Sequence, residues 1–172
     1  AAFPGLAHRL QLVGRFAVGG VESPPVRAYN DSKSTTPEPA ALAVAAMDDD
    51  ETIGAARVRL LCGGYDKKVD LAPMVAQAAR CAGVYTIGAT GETLAQAVSS
   101  AGGRAASCQT LSAAVEKATS EVRPGEAILL SPGCASWDQF TNFEARGQAF
   151  AEAVRSRLSP ISSARSAGVT NP

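Results

Sequence analysis

The chain contains 172 residues, of which 46% are hydrophobic and 19% charged, and its 16 basic residues are balanced by 16 acidic ones. This length and composition predict one compact domain with a sizeable core. The balanced charge argues against the clustered Lys and Arg of a nucleic-acid-binding surface. No apolar run approaches the ~20 residues that a membrane-spanning helix requires.

Short apolar runs alternate along the chain with patterns typical of helices. The predicted strands are residues 9–16, 25–29, 57–62, 84–87 and 127–130. The predicted helices are residues 37–47, 72–82, 92–101, 112–122 and about 137–158. Because buried strands that alternate with helices are typical of βαβ units, this order predicts an α/β fold. We expect a doubly wound, mostly parallel sheet with helices on both faces.

Composition also suggests where the domain ends and in which compartment it works. Residues 1–158 are predicted to form the domain, and residues 159–172, rich in Ser, Gly and Pro, are predicted to form a flexible tail. Four cysteines, Cys62, Cys81, Cys108 and Cys134, are widely spaced, and the chain has a single histidine. This spacing disfavours a zinc site and predicts reduced, structural thiols in a cytoplasmic protein.

Three polar clusters follow predicted strands. Residues 29–38 place Lys33 and several hydroxyls before a helix, where such groups either bind an anion or only cap the helix. Residues 63–68, Gly-Gly-Tyr-Asp-Lys-Lys, either form a simple turn or bring a lysine to an anion, and they do not match a P-loop. Residues 130–147 form a third strand end, turn and helix start.

Ligands of doubly wound sheets gather at the carboxyl ends of the strands. The three clusters together therefore predict a site for an anionic small molecule. Cys134 lies in the third cluster, but a thiol nucleophile needs a base, and the only histidine, His8, is remote in sequence. We therefore predict a structural role for Cys134.

These clusters, in this order, resemble the C-terminal domain of the Mur ligases, and among them the members that add D-glutamate. The resemblance begins at Phe3-Pro4-Gly5-Leu6-Ala7-His8-Arg9-Leu10 and extends over residues 3–158. It includes Tyr29-Asn30-Asp31-Ser32-Lys33-Ser34-Thr35, Gly63-Gly64-Tyr65-Asp66-Lys67, and the run from Leu129 to Gly147. Ala7, Ser34 and Trp137 depart from the residues usual in that family.

The resemblance implies an ATP-dependent ligase of peptidoglycan biosynthesis, whose partners are D-glutamate, ATP and UDP-N-acetylmuramoyl-L-alanine. In this family an N-terminal domain holds the UDP-sugar, and a central domain carries the P-loop, the Mg2+ sites and a carbamylated lysine. The C-terminal domain supplies the amino-acid site. We therefore expect no catalytic residue and no metal ligand in this chain, and no ligase activity from it alone.

The resemblance also carries over particular residues. Those expected around D-glutamate are Thr35, Lys67, Ser136, Trp137, Phe143 and Lys33. Those expected on the ATP side are His8, Arg9 and Asp31. The alternative hypothesis is a non-catalytic doubly wound module that binds a nucleotide or an acidic amino acid.

Overall fold

The computed structural model describes residues 7–20, 22–48 and 53–161. Residues 3–6 of the predicted junction, and the predicted tail from residue 162 onward, lie outside the described residues. The strands are β1 (Gln11–Ala17), β2 (Val26–Asn30), β3 (Val58–Gly63), β4 (Gly83–Ile87), β5 (Ala105–Gln109), β6 (Ala127–Leu130) and β7 (Ser159–Pro160). The helices are α1 (Pro37–Asp48), α2 (Ala72–Ala78), α3 (Gly91–Ser100), α4 (Leu111–Glu121) and α5 (Phe143–Arg157), with a short 3-10 turn at Ala55–Arg57.

The described strands form a seven-stranded sheet in the order β5-β4-β3-β6-β2-β1-β7. The pairs from β5 to β2 are all parallel. Only β1 and β7, at one edge, pair antiparallel with their neighbours. The predicted α/β fold with a mostly parallel sheet is confirmed. None of the helices described here is both long and apolar enough to cross a membrane.

Helices cover both faces of the sheet, as predicted. Successive residues of a strand point to opposite faces, so Leu60 and Leu129 lie in the core beneath α1, α2 and α3. Their neighbours Leu61 and Leu130 lie in the core beneath α4 and α5. The central strands β3 and β6 are buried along their whole length, which explains why β6 is a continuous apolar run and why Arg59 is the one charged residue of β3.

The last helix begins later than predicted. It starts at Phe143 because Asn142 adopts an extended conformation and its side chain accepts a hydrogen bond from the Ala145 N–H at 2.7 Å. This is the geometry of a helix N-cap. Residues 137–142 instead form turns, and these turns lie at the candidate site.

Two strands were not predicted. β5 is a partly exposed edge strand with the sequence Ala-Ala-Ser-Cys-Gln, whose apolar signal is weak. β7 has two residues, and it pairs Pro160 with Phe16 and Ser159 with Ala17. The sheet therefore includes the first residues of the segment predicted as a tail.

The chain order reverses at the centre of the sheet. β3 is followed by α2 on one face, whereas its neighbour β6 is followed by α5 on the other face. The helices that follow these two strands therefore leave the carboxyl ends in opposite directions, and we call the surface between them the crevice. Such a switch point is the usual ligand site of doubly wound sheets.

Candidate functional site

Three loops meet at the carboxyl edge of the sheet. The first loop comprises residues 31–36, the second residues 64–71 and the third residues 131–142. Backbone hydrogen bonds join the third loop to both others, from Gly133 N to Ser34 O at 2.9 Å and from Tyr65 N to Ala135 O at 2.9 Å. The three polar clusters predicted from the sequence are thus brought together in space.

The second loop depends on a glycine. Gly64 has a φ of +146°, and a Cβ atom at this position would collide with the carbonyl oxygen of Ala135. The Gly64 N–H also donates to the hydroxyl of Thr90 at 3.1 Å. A side chain at position 64 would therefore separate the second loop from the third.

Asp31 anchors the first loop from inside the protein. It is only 2% exposed, and its carboxylate accepts hydrogen bonds from Ser34 Oγ at 2.5 Å, Ser131 Oγ at 2.7 Å and the Leu10 N–H at 3.2 Å. It therefore connects the turn at residues 8–10 with the first and third loops. A nucleotide contact by Asp31 stays a prediction.

Arg146 lies beneath the loops and was not identified from the sequence. Its side chain is 1% exposed, and it donates to Ser32 Oγ at 3.0 Å, Ser32 O at 2.9 Å and Cys134 O at 3.0 Å. No carboxylate forms an ion pair with it among the described residues. Burial lowers the pKa of Arg146 to about 10, so the guanidinium is still charged at neutral pH. Its positive field favours an anion above it.

One side of the crevice is formed by Lys67 and two aromatic residues. Lys67 Nζ donates to the carbonyl of Thr35 at 3.4 Å and lies 5.2 Å from the centre of the Trp137 ring. The Trp137 ring is 5.5 Å from that of Tyr65 and is 64% exposed. The Thr35 hydroxyl forms no hydrogen bond with any described residue. An ammonium group and a free hydroxyl therefore adjoin the crevice.

The other side is formed by the start of α5. The carbonyl of Phe143 accepts a hydrogen bond from Ser32 Oγ at 2.8 Å. Ser136 is 2% exposed, and its hydroxyl has no hydrogen-bond partner within the described ranges. The amino end of a 15-residue helix carries a partial positive charge that favours an anion.

Two further predicted residues surround the Phe143 ring. Lys33 Nζ lies 6.0 Å from its centre, and the His8 ring packs against it edge-on at the same distance. His8 Nδ1 also lies 2.9 Å from the side-chain nitrogen of Asn30. Arg9 is exposed and contacts no side chain in the described part of the chain.

The third loop is also held from outside the crevice. Asp138 accepts a hydrogen bond from the Ala89 N–H at 3.0 Å. Gln139 donates to the carbonyl of Gln109 at 2.6 Å. Asp138 and Gln139 thus hold the third loop to the neighbouring loops, in the segment where the sequence predicts the start of a helix.

Cys134 lies within the third loop but is not exposed to a ligand. It is 3% exposed, and its Sγ lies 3.5 Å from Thr90 Oγ1. Burial raises the pKa of the thiol, which disfavours the thiolate that nucleophilic chemistry needs. This environment fits the structural role predicted for it. All four cysteines are free.

Comparison with known proteins gives the family. The model of the family described as "Mur ligase, glutamate ligase domain" matches residues 8–134, which is most of the chain. The chain belongs to the Mur ligase family.

Curated Mur ligases of known substrate are similar to this chain over most of its length. It is 37% identical over 153 residues to the UDP-N-acetylmuramoylalanine–D-glutamate ligase of Zymomonas mobilis, covering 89% of the chain and 31% of that protein. It is 40% identical over 153 residues to the ligase of the same name from Myxococcus xanthus, covering 88% and 30%. The chain thus spans about a third of the length of these relatives.

Solved Mur ligase structures share the fold. A murein peptide ligase from Psychrobacter arcticus has a TM-score of 0.58 at 14% identity, covering 89% of this chain and 31% of that one. A UDP-N-acetylmuramate–alanine ligase from Thermotoga maritima has a TM-score of 0.54 at 13% identity, covering 90% and 31%. At these identities the similarity establishes the fold alone.

Within this Mur ligase domain, the residues predicted from the sequence fall into two groups. Thr35, Lys67 and Trp137 lie together on one side, and His8, Lys33 and Phe143 lie together on the other. Sequence reasoning missed the residues that support them. The missed residues are Ser32, Asp138, Gln139 and Arg146, and their only signal was their position inside the quoted family motifs.

Proposed function

We propose that this chain is the amino-acid-binding domain of an ATP-dependent ligase that joins D-glutamate to UDP-N-acetylmuramoyl-L-alanine in peptidoglycan biosynthesis. The observation that carries the proposal is the contact of Lys67 with Thr35, in joined loops that also hold Ser136 and rest on the buried Arg146, which pairs with no carboxylate among the described residues. D-glutamate has two carboxylates, and the proposal gives each of them its own set of donors. The names of the relatives from Z. mobilis and M. xanthus support the choice of D-glutamate.

Each carboxylate of D-glutamate has its own donors in this proposal. Lys67 and the Thr35 hydroxyl bind one carboxylate, since an ammonium and a hydroxyl donate to the same anion without competing. Ser136 and the amino end of α5 at Phe143 bind the other. Lys33 adds positive charge, and Trp137 forms the outer wall beside Lys67.

The amine of D-glutamate then faces the rest of the enzyme. ATP phosphorylates the carboxylate of UDP-N-acetylmuramoyl-L-alanine, and the amine attacks the resulting acyl phosphate with loss of inorganic phosphate. His8, Arg9 and Asp31 are assigned to the ATP side.

Mg2+ is assigned no ligand in this chain. Across the described ranges, no three His, Cys, Asp or Glu side chains are grouped as metal ligands would be. The family resemblance, rather than this absence, assigns the UDP-sugar, ATP and Mg2+ to the N-terminal and central domains. The four free thiols support a reducing, cytoplasmic setting.

The single tryptophan provides a direct test, because Trp137 is the only one in the chain. Its fluorescence should change saturably as D-glutamate is added, and L-glutamate should produce a much weaker response. Lys67→Ala should weaken D-glutamate binding by roughly tenfold or more, because a charge-assisted hydrogen bond is lost. The control Lys117→Ala removes an exposed lysine at the other edge of the sheet and should leave binding unchanged.

Two results would contradict the proposal. Equal responses to D- and L-glutamate would remove the substrate assignment. Saturation by ATP alone, with no response to D-glutamate, would favour the alternative of a nucleotide-binding module. The chain alone should release no ADP when mixed with ATP, D-glutamate and UDP-N-acetylmuramoyl-L-alanine.

A further inference from the structure

A cationic cavity opens at the opposite edge of the sheet. It lies at the amino ends of β3, β4 and β5, beside the last turns of α4, and has a volume of about 830 Å³. Five basic residues line it: Arg59, Arg80, Arg104, Lys117 and Arg123. The acidic residues in its lining are Glu121 and Glu126. The cavity thus holds an excess of three positive charges, although the whole chain is balanced.

The acidic residues of this cavity are already engaged. Arg59 is 6% exposed, and its Nε donates to Glu126 at 2.6 Å while its Nη1 donates to the Tyr85 hydroxyl at 2.6 Å. The Tyr85 hydroxyl donates to Glu121 at 2.7 Å, and Lys117 pairs with the same carboxylate at 2.9 Å. This network forms a cross-linked floor.

Two arginines of the cavity remain unmatched. Arg80 pairs with Asp48, but the side chains of Arg104 and Arg123 have no hydrogen-bond or ion-pair partner among the described residues. Their backbones are held in place, since the Arg104 carbonyl accepts from Val84 N at 2.8 Å and Arg123 N donates to Glu126 at 2.8 Å. Both guanidinium groups are therefore available to a ligand, on residues whose backbone is held in place.

We propose that this cavity is a binding site for a small, phosphate-bearing polyanion, held by Arg104 and Arg123. A guanidinium donates two parallel hydrogen bonds to a phosphate, which suits a ligand with several oxyanions. The volume lies in the range of small-molecule sites. The site is separate from the three loops, because a six-residue strand such as β3 places its two ends roughly 20 Å apart.

Amide NMR titration with inorganic pyrophosphate, at constant ionic strength, tests this site. We expect saturable shifts at the amides of residues 104–106, 123, 125 and 126. Arg104→Gln and Arg123→Gln should each weaken binding by roughly tenfold, because each removes a charge-assisted contact. The control Arg155→Gln removes an exposed arginine of α5 whose side chain donates to the Val13 carbonyl, and it should change the affinity by less than about twofold.

A parallel titration with citrate tests the class of ligand, since citrate carries comparable negative charge on carboxylates. Weaker binding of citrate supports a phosphate ligand, and equal or tighter binding of citrate overturns that assignment. The site itself is overturned if the shifts do not saturate or if they map to the three loops. It is also overturned if Arg155→Gln weakens binding as much as the other two variants do. Arg104 and Arg123 are exposed, so both variants should fold. Both should also keep the response of Trp137 fluorescence to D-glutamate, and this measurement distinguishes a failure of the polyanion site from a failure of the proposed function.

Discussion

Arg146 of α5 donates hydrogen bonds to both the hydroxyl and the carbonyl of Ser32, a residue 114 positions earlier in the chain. Its third hydrogen bond reaches the carbonyl of Cys134 in the loop between them. One side chain thus holds the first and third loops at a fixed separation. It also leaves a positive charge beneath the crevice that we assign to D-glutamate.

Replacing Arg146 should therefore destabilise the fold. Arg146→Met leaves the buried carbonyls of Ser32 and Cys134 without donors, and each unsatisfied group costs about 1–3 kcal/mol. We expect the free energy of unfolding to fall by about 2–4 kcal/mol, measured by urea denaturation. Arg155→Met, on the exposed face of the same helix, is the control and should change it by less than about 0.5 kcal/mol. Equal losses in the two variants would contradict a role for the buried contacts.

Trp137 should hold Lys67 in position. The ring lies 5.2 Å from the ammonium group, and a cation–π contact at an exposed site contributes about 0.5–1 kcal/mol. Trp137→Leu should therefore weaken D-glutamate binding by roughly two- to fivefold, and Trp137→Phe should weaken it less because an aromatic face remains. Calorimetric titration measures both variants, since neither retains the fluorescent residue. The idea fails if Leu and Phe at this position bind equally well.

Asp31 should contribute to stability through its three donors. Asp31→Asn exchanges one acceptor oxygen for a donor, which faces the hydroxyls of Ser34 and Ser131. We expect a loss of about 1–3 kcal/mol in the free energy of unfolding, together with faster amide exchange at residue 10. Glu116→Gln, which removes an exposed carboxylate from α4, is the matched control. Unchanged exchange at residue 10 would show that the turn does not depend on Asp31.

Tyr85 should make the protein sensitive to alkaline pH. Burial, followed by its hydrogen bond to Glu121, raises the pKa of Tyr85 from 10.0 to about 12. Between these values the unfolded chain has released the phenolic proton and the folded chain has not. Stability therefore falls as pH rises through this window.

The variant Tyr85→Phe removes this contribution, so its free energy of unfolding should fall less steeply as the pH rises. Urea denaturation at a series of pH values from neutral to strongly alkaline gives the comparison. Tyr65→Phe, at the opposite edge of the sheet, should follow the original protein. If the free energy of unfolding depends on pH in the same way in Tyr85→Phe and in the original protein, Tyr85 is not the source of the alkaline sensitivity.

Local patterns were sufficient for the central elements of the fold. β6 was predicted with its observed bounds, and β3 to within one residue, because strands buried on both faces are mostly apolar, with Arg59 the one charged residue in these two. The edge strands β5 and β7 carry no such signal, since one is partly exposed and the other has two residues. The boundary of α5 was wrong because the N-cap at Asn142, rather than the apolar pattern, decides where the helix begins.

The sequence by itself determined the class of fold, the three polar clusters and, through their resemblance to known ligases, the family. Tertiary structure alone decided which side chains face the crevice and which support it. Asp31 and Lys67 are both charged residues in loops after strands, yet one is enclosed by three donors and the other adjoins the crevice. The reason is that burial depends on contacts between segments far apart in sequence, such as Arg146 of α5 with Ser32 of the first loop, and no local pattern records them.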